Sequence, residues 1–60
     1  MNNKKIYDIK LIKTKINNAM VLIEEIQNLL EDFPEVETSY LSSALDDLDK
    51  QYWEIEDIQD

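Results

Sequence analysis

The chain has 60 residues, with six Lys, no Arg and fourteen acids, for a formal net charge of −8. That length allows one domain with a small core, and folds of this size are usually held by disulfides, a metal or association. Cys and His are both absent, which excludes disulfides, thiol or imidazole metal sites, and the commonest general base. Association is the support that remains.

Gly is absent and Pro34 is the only proline. A chain without Gly has few places for tight hairpin turns or phosphate-cradling backbone, which argues against a sheet and against P-loop or dinucleotide motifs. Hydrophobic content of 43% is too high for a disordered chain. The longest unbroken apolar run covers residues 19–23, far short of the roughly 20 residues a membrane helix needs. After Lys4 and Lys5, the charges of Asp8 and Lys10 interrupt any apolar region of a signal peptide. A cytoplasmic protein is expected. Low Gly, Arg and His with abundant Ile, Asn and Lys fit an AT-rich bacterial or phage gene.

Ile9, Ile16, Ile23 and Leu30 recur every seven residues, and Ile12, Ala19, Ile26 and Phe33 repeat the pattern three places on. This three-four alternation predicts a helix over 4–32 with coiled-coil character. Leu22 and Leu29 widen the stripe on one side, Met20 widens it on the other, and Val21 lies opposite it. Such a helix asks for cover from more than one direction. Met20, Val21, Leu22 and Leu29, joined by Trp53 from the second helix, are therefore the expected contacts between chains.

Pro34 breaks the helix, because the residue before a proline is pushed out of helical geometry, and the turn is expected over 33–38. Two starts for the second helix fit the sequence. In one, Asp32 caps it with Glu35 three residues on; in the other, Thr38 or Ser39 is the cap. Leu41, Leu45, Leu48, Tyr52 and Ile55, with Ala44 and Ile58 beside them, form its apolar stripe, and the helix is placed over 39–58. A short connection makes the two helices antiparallel neighbours. The expected fold is all-α: an antiparallel two-helix hairpin assembling into an oligomeric helical bundle.

Charge is unevenly spread. Residues 1–15 carry five Lys against Asp8, for +4, and residues 16–60 carry thirteen acids against Lys50, for −12. Each helix thus opposes its own macrodipole, with lysines at the start of the first and Glu54, Glu56, Asp57 and Asp60 at the end of the second. In an antiparallel hairpin these ends lie side by side. The lysines then either neutralise the acids or hold an anionic ligand such as a nucleotide phosphate. The acidic remainder is either a solvated face or a surface that occupies a basic groove of another protein. Direct binding to nucleic acid is not expected of a chain with this balance.

Adjacent acids such as Glu24 and Glu25, or Asp46 and Asp47, point about a hundred degrees apart on a helix, so no metal site or paired-carboxylate catalysis is expected, and no cofactor. Trp53 sits off the stripe among Asp46, Asp49, Glu56 and Asp57, as an interface anchor or a stacking platform would. Tyr52 falls on the stripe, while Tyr7 and Tyr40 are free to stack on a base.

The run Ser43-Ala44-Leu45-Asp46-Asp47-Leu48-Asp49-Lys50-Gln51-Tyr52-Trp53, after a turn at Leu29-Leu30-Glu31-Asp32-Phe33-Pro34, resembles the closing helix of the small hairpin domain in phage anti-CBASS and anti-Thoeris sponge proteins. The likeness covers residues 20–58; Lys50, Gln51 and the place of Trp53 differ from the usual pattern. It implies a non-enzymatic, homo-oligomeric bundle that sequesters a cyclic or ADP-ribose-type nucleotide signal in sites formed between chains, with basic side chains on the phosphates and aromatics on the bases. Lys4, Lys5, Tyr7, Lys10, Lys13, Tyr52 and Trp53 are the residues of this chain suited to that chemistry. The rival expectation is an acidic inhibitor of a basic host protein. Leu41-Ser42-Ser43-Ala44-Leu45-Asp46 is also similar to the SQELD segment of the small sporulation aspartyl-phosphate phosphatases, matching it at Ser42, Leu45 and Asp46.

Overall fold

The structure, a computed structural model, describes residues 3–58; Met1, Asn2 and the expected C-terminal charge of Asp60 lie outside the described residues. Helix α1 covers Asn3–Leu29 and runs on into a single 3₁₀ turn, Leu30–Asp32; helix α2 covers Ser39–Glu56. The described residues contain no strand. The two helices form a thin rod with principal extents of 51 × 15 × 9 Å.

Pro34 shapes the break between them. Phe33, the residue before it, sits at φ −126° and ψ 70°, outside the helical region that the proline ring disfavours. The Phe33 N–H donates to the Leu30 carbonyl at 2.9 Å, so the last turn tightens from α to 3₁₀ instead of remaining α-helical to residue 32. The Val36 N–H then donates to the Phe33 carbonyl at 3.0 Å, closing a turn with Pro34 at the position where its fixed φ is favoured.

Of the two starts open to α2, the structure takes the later. Thr38 is the N-cap residue, but its hydroxyl makes no capping bond. Glu37 substitutes for it, its carboxylate accepting the Ser39 N–H at 3.0 Å. That bond holds the Glu37 carboxyl below its ordinary pKa, so its contribution is present above the ordinary carboxylate range and is lost as pH falls through the lowered value. At the other end α2 stops at Glu56, short of the expected residue 58. Its last turn carries no basic residue, and Glu54, Glu56 and Asp57 crowd the negative end of the helix dipole.

Gln27 donates to Ser42 across the hairpin at 3.2 Å, and Lys13 pairs with Glu56. Both intervals are fourteen residues, so the antiparallel register runs without a slip. The α2 side of the seam is the stripe read from sequence: Leu41, Ala44, Leu45, Leu48, Tyr52 and Ile55, all half-buried. The α1 side differs. Ile9, Ile16, Ile23 and Leu30 face α2, but the second line of the seam is Ile6, Lys13, Met20 and Gln27. Ile12, Ile26 and Phe33 of the expected line are 41%, 44% and 52% exposed, with Ala19 half-buried beside the seam. Two polar residues are accepted because each finds a partner on α2, which the more apolar row would not have supplied.

Ile16, 8% exposed, is the one buried residue among those described. Replacing Ile16 with Ala is expected to cost about 2–5 kcal/mol in chemical denaturation, the usual range for a buried Ile. A loss below about 0.5 kcal/mol, the size of an ordinary surface change, would contradict this seam.

Candidate functional site

The residues suited to an anionic, aromatic ligand divide between two places on the rod. Lys13, Tyr52 and Trp53 come together where α2 ends. The Lys13 ammonium lies 5.4 Å from the centre of the Tyr52 ring, within the range of a cation–π contact. Tyr52 and Trp53 meet edge to face, with ring centres 5.6 Å apart and planes at 80°, a preferred aromatic geometry. Tyr52 is half-buried in the seam, while Trp53 keeps 57% of its surface exposed.

Lys13 is already engaged. Its ammonium pairs with the Glu56 carboxylate; this hydrogen bond, opposed by partial desolvation and aided by the charges of Glu56 and Tyr52, raises its pKa. The raised value means that the contact persists through the ordinary lysine range and is lost only as pH climbs through the elevated pKa. A phosphate arriving here competes with Glu56 for the same ammonium. Glu56 is one of the four acids at the end of α2 that the opposition of a basic start and an acidic end set beside the lysines.

Lys4, Lys5, Tyr7 and Lys10 lie elsewhere. Glu56, the last residue of α2, is level with Lys13, so the first ten residues of α1 extend past the helical part of α2. The register sets Tyr52 level with residue 17, which places Tyr7 about 15 Å farther along the axis at 1.5 Å per residue. All four side chains are exposed. Within one chain they continue the basic character of the site along α1 without closing on Tyr52 and Trp53, and no pocket opens among the described residues.

The residues expected between chains also divide. Leu22 and Leu29, 59% and 72% exposed, lie on one broad side of the rod. Val21 and Trp53, 52% and 57% exposed, face the other side by helical geometry. Met20 is half-buried in the seam line.

On α2, Lys50 pairs with Asp46 one turn away at 3.1 Å. That hydrogen bond, with the charges of Asp46 and Asp47, raises the Lys50 pKa. Gln51 donates to Glu54 at 3.4 Å. No group of three or more acids among the described residues is placed to hold a metal ion, and no helix among them is long and apolar enough to cross a membrane.

Searches with family models, among curated proteins and among solved structures return no match to this chain.

The aromatic pair and its cation act as one unit, which a Lys13→Gln variant tests. Near-ultraviolet circular dichroism from Tyr52 and Trp53 is expected to weaken at pH 7 while far-ultraviolet helicity is largely kept. An unchanged near-ultraviolet spectrum would show that Lys13 does not hold the Tyr52 ring.

Proposed function

We propose that this chain is a non-enzymatic anti-defence protein of phage type, acting in the cytoplasm of a bacterial host as an assembly of hairpins that sequesters a nucleotide immune signal. The observation that carries the reading is the grouping of Lys13, Tyr52 and the exposed Trp53 ring where α2 ends, with Lys10, Tyr7, Lys5 and Lys4 continuing beyond it along α1. Exposed aromatic faces stack on bases and ammonium groups hold phosphates, which suits a cyclic or ADP-ribose-type nucleotide. The resemblance to the sponge hairpins implies the same chemistry. A single rod gives such a ligand no enclosure, so the sites lie between copies. Lysine and aromatic side chains bind a nucleotide; they do not supply the poised base and nucleophile that hydrolysis would use.

A second reading draws on the same tryptophan. Trp53 stands exposed with Asp46, Asp49 and Asp57, also exposed, on its face of α2, an arrangement suited to anchoring on a basic protein surface.

Thermal unfolding with a panel of cyclic and ADP-ribose-type nucleotides distinguishes the two. A sequestering protein is stabilised by a ligand that binds only the folded state, by about 2.7 kcal/mol at a hundred times its Kd, and releases it chemically intact on denaturation. No shift across the panel rejects sequestration. Binding to a basic DNA-binding protein with an affinity that falls steeply as salt is raised would favour the second reading in its place.

A further inference from the structure

The seam of the hairpin leaves a second apolar row uncovered on α1. Ile12, Ala19, Leu22, Ile26, Leu29 and Phe33 follow one another at the three-four spacing of a coiled-coil seam, and only Lys15 interrupts them. Five of these six are between 41% and 72% exposed, Ala19 alone being half-buried. The row lies about 100° round α1 from the α2 contact, as the helical repeat dictates. The antiparallel register turns Tyr40, 77% exposed, and Ile58, 42% exposed, to the same broad side.

We propose that a second copy of this chain covers this side, with its own α1 packed antiparallel against the first to make a two-fold symmetric four-helix bundle. The inference rests on the assembly premise of the proposed function and adds its face and direction; it does not depend on a nucleotide.

Three observations select a second copy as the occupant. A row with heptad spacing is complementary to another row of the same spacing, and a two-fold contact brings a surface against itself. The area is adequate: a strip about 31 Å long and two helices, or about 20 Å, wide covers on the order of 600 Å², near the roughly 800 Å² per partner of a standard interface. The charge along α1 then sets the direction. Lys13 is turned into the hairpin seam, and Lys10, Glu24 and Glu31 lie on the far side of α1; on or beside the row, Lys15 lies in its first half and Glu25 and Asp32 lie in its second. Antiparallel packing sets Lys15 near the copy's Asp32, whereas parallel packing sets Lys15 on the copy's Lys15.

The test combines sedimentation with a distance measurement. The intact chain is expected to sediment as a dimer. Leu22→Lys and Leu29→Lys, at positions exposed in the single hairpin, are each expected to weaken dimerisation about a hundredfold, or roughly 2.7 kcal/mol. Val21→Lys, on the other side of the rod, is expected to leave it intact. With no native Cys to interfere, a spin label at Lys5→Cys is expected to sit about 45–55 Å from its counterpart in an antiparallel dimer, from the 1.5 Å rise per residue. A monomer, a pair of labels closer than about 25 Å, or a dimer lost with Val21→Lys but kept with Leu22→Lys would overturn the proposal. A parallel dimer stabilised by a nucleotide would leave the proposed function standing while removing this inference. An antiparallel dimer indifferent to every nucleotide would do the reverse.

Discussion

α1 carries two apolar rows, about 100° apart round the helix, and α2 has room to lie against only one of them. Much of the structure follows from that mismatch. One seam between two helices leaves most of its side chains only half-covered, and Ile16 alone among the described residues is buried in it. The molecule has no disulfide to restrict its unfolded chain and no Cys or His with which to take up zinc. Hydrophobic burial is the dominant favourable term in folding, and here much of the apolar surface that would supply it faces outward from a rod 9 Å thick at the backbone.

The seam that does form is selected by polar partners as much as by hydrophobicity. Lys13 and Gln27 occupy positions that an apolar side chain would ordinarily fill, and Glu56 and Ser42 receive them from the other helix. Exposed ion pairs and hydrogen bonds of this kind add little net stability. What they specify is register and direction: a slip of α2 along α1 would separate both pairs at once. Putting these residues into the seam also keeps the second, more apolar row of α1 out of it, so the internal contact that fixes the hairpin leaves the better coiled-coil surface open.

The sequence made α2 legible and α1 only half so. The stripe Leu41, Leu45, Leu48, Tyr52 and Ile55 is the one that packs, because no competing apolar row runs along that helix. Pro34 marked the break for steric reasons that need no tertiary context. On α1, Ile9, Ile16, Ile23 and Leu30 belong to both candidate seams, and hydrophobicity favoured completing them with Ile12, Ala19, Ile26 and Phe33. The structure completes them with Ile6, Lys13, Met20 and Gln27, a choice visible only when Glu56 and Ser42 are already in register opposite. The candidate site shows the same division. Lys13, Tyr52 and Trp53 were readable as a cation and two aromatics, and they do meet. Charge opposition narrowed the partner of the lysines to four acids, of which Glu56 meets Lys13, and the overhang that carries Lys4, Lys5 and Tyr7 away from the aromatic pair follows from where α2 stops.

On the proposed assembly, association completes the core of the hairpin, and its stability then depends on its own concentration. Thermal unfolding followed by far-ultraviolet circular dichroism over about a hundredfold range of protein concentration tests this directly. The expected result is a Tm that rises steadily with concentration and helicity that is lost on dilution at fixed temperature. A Tm independent of concentration, with full helicity in a species of monomer mass, would show that the single seam suffices and that the open row of α1 needs no cover.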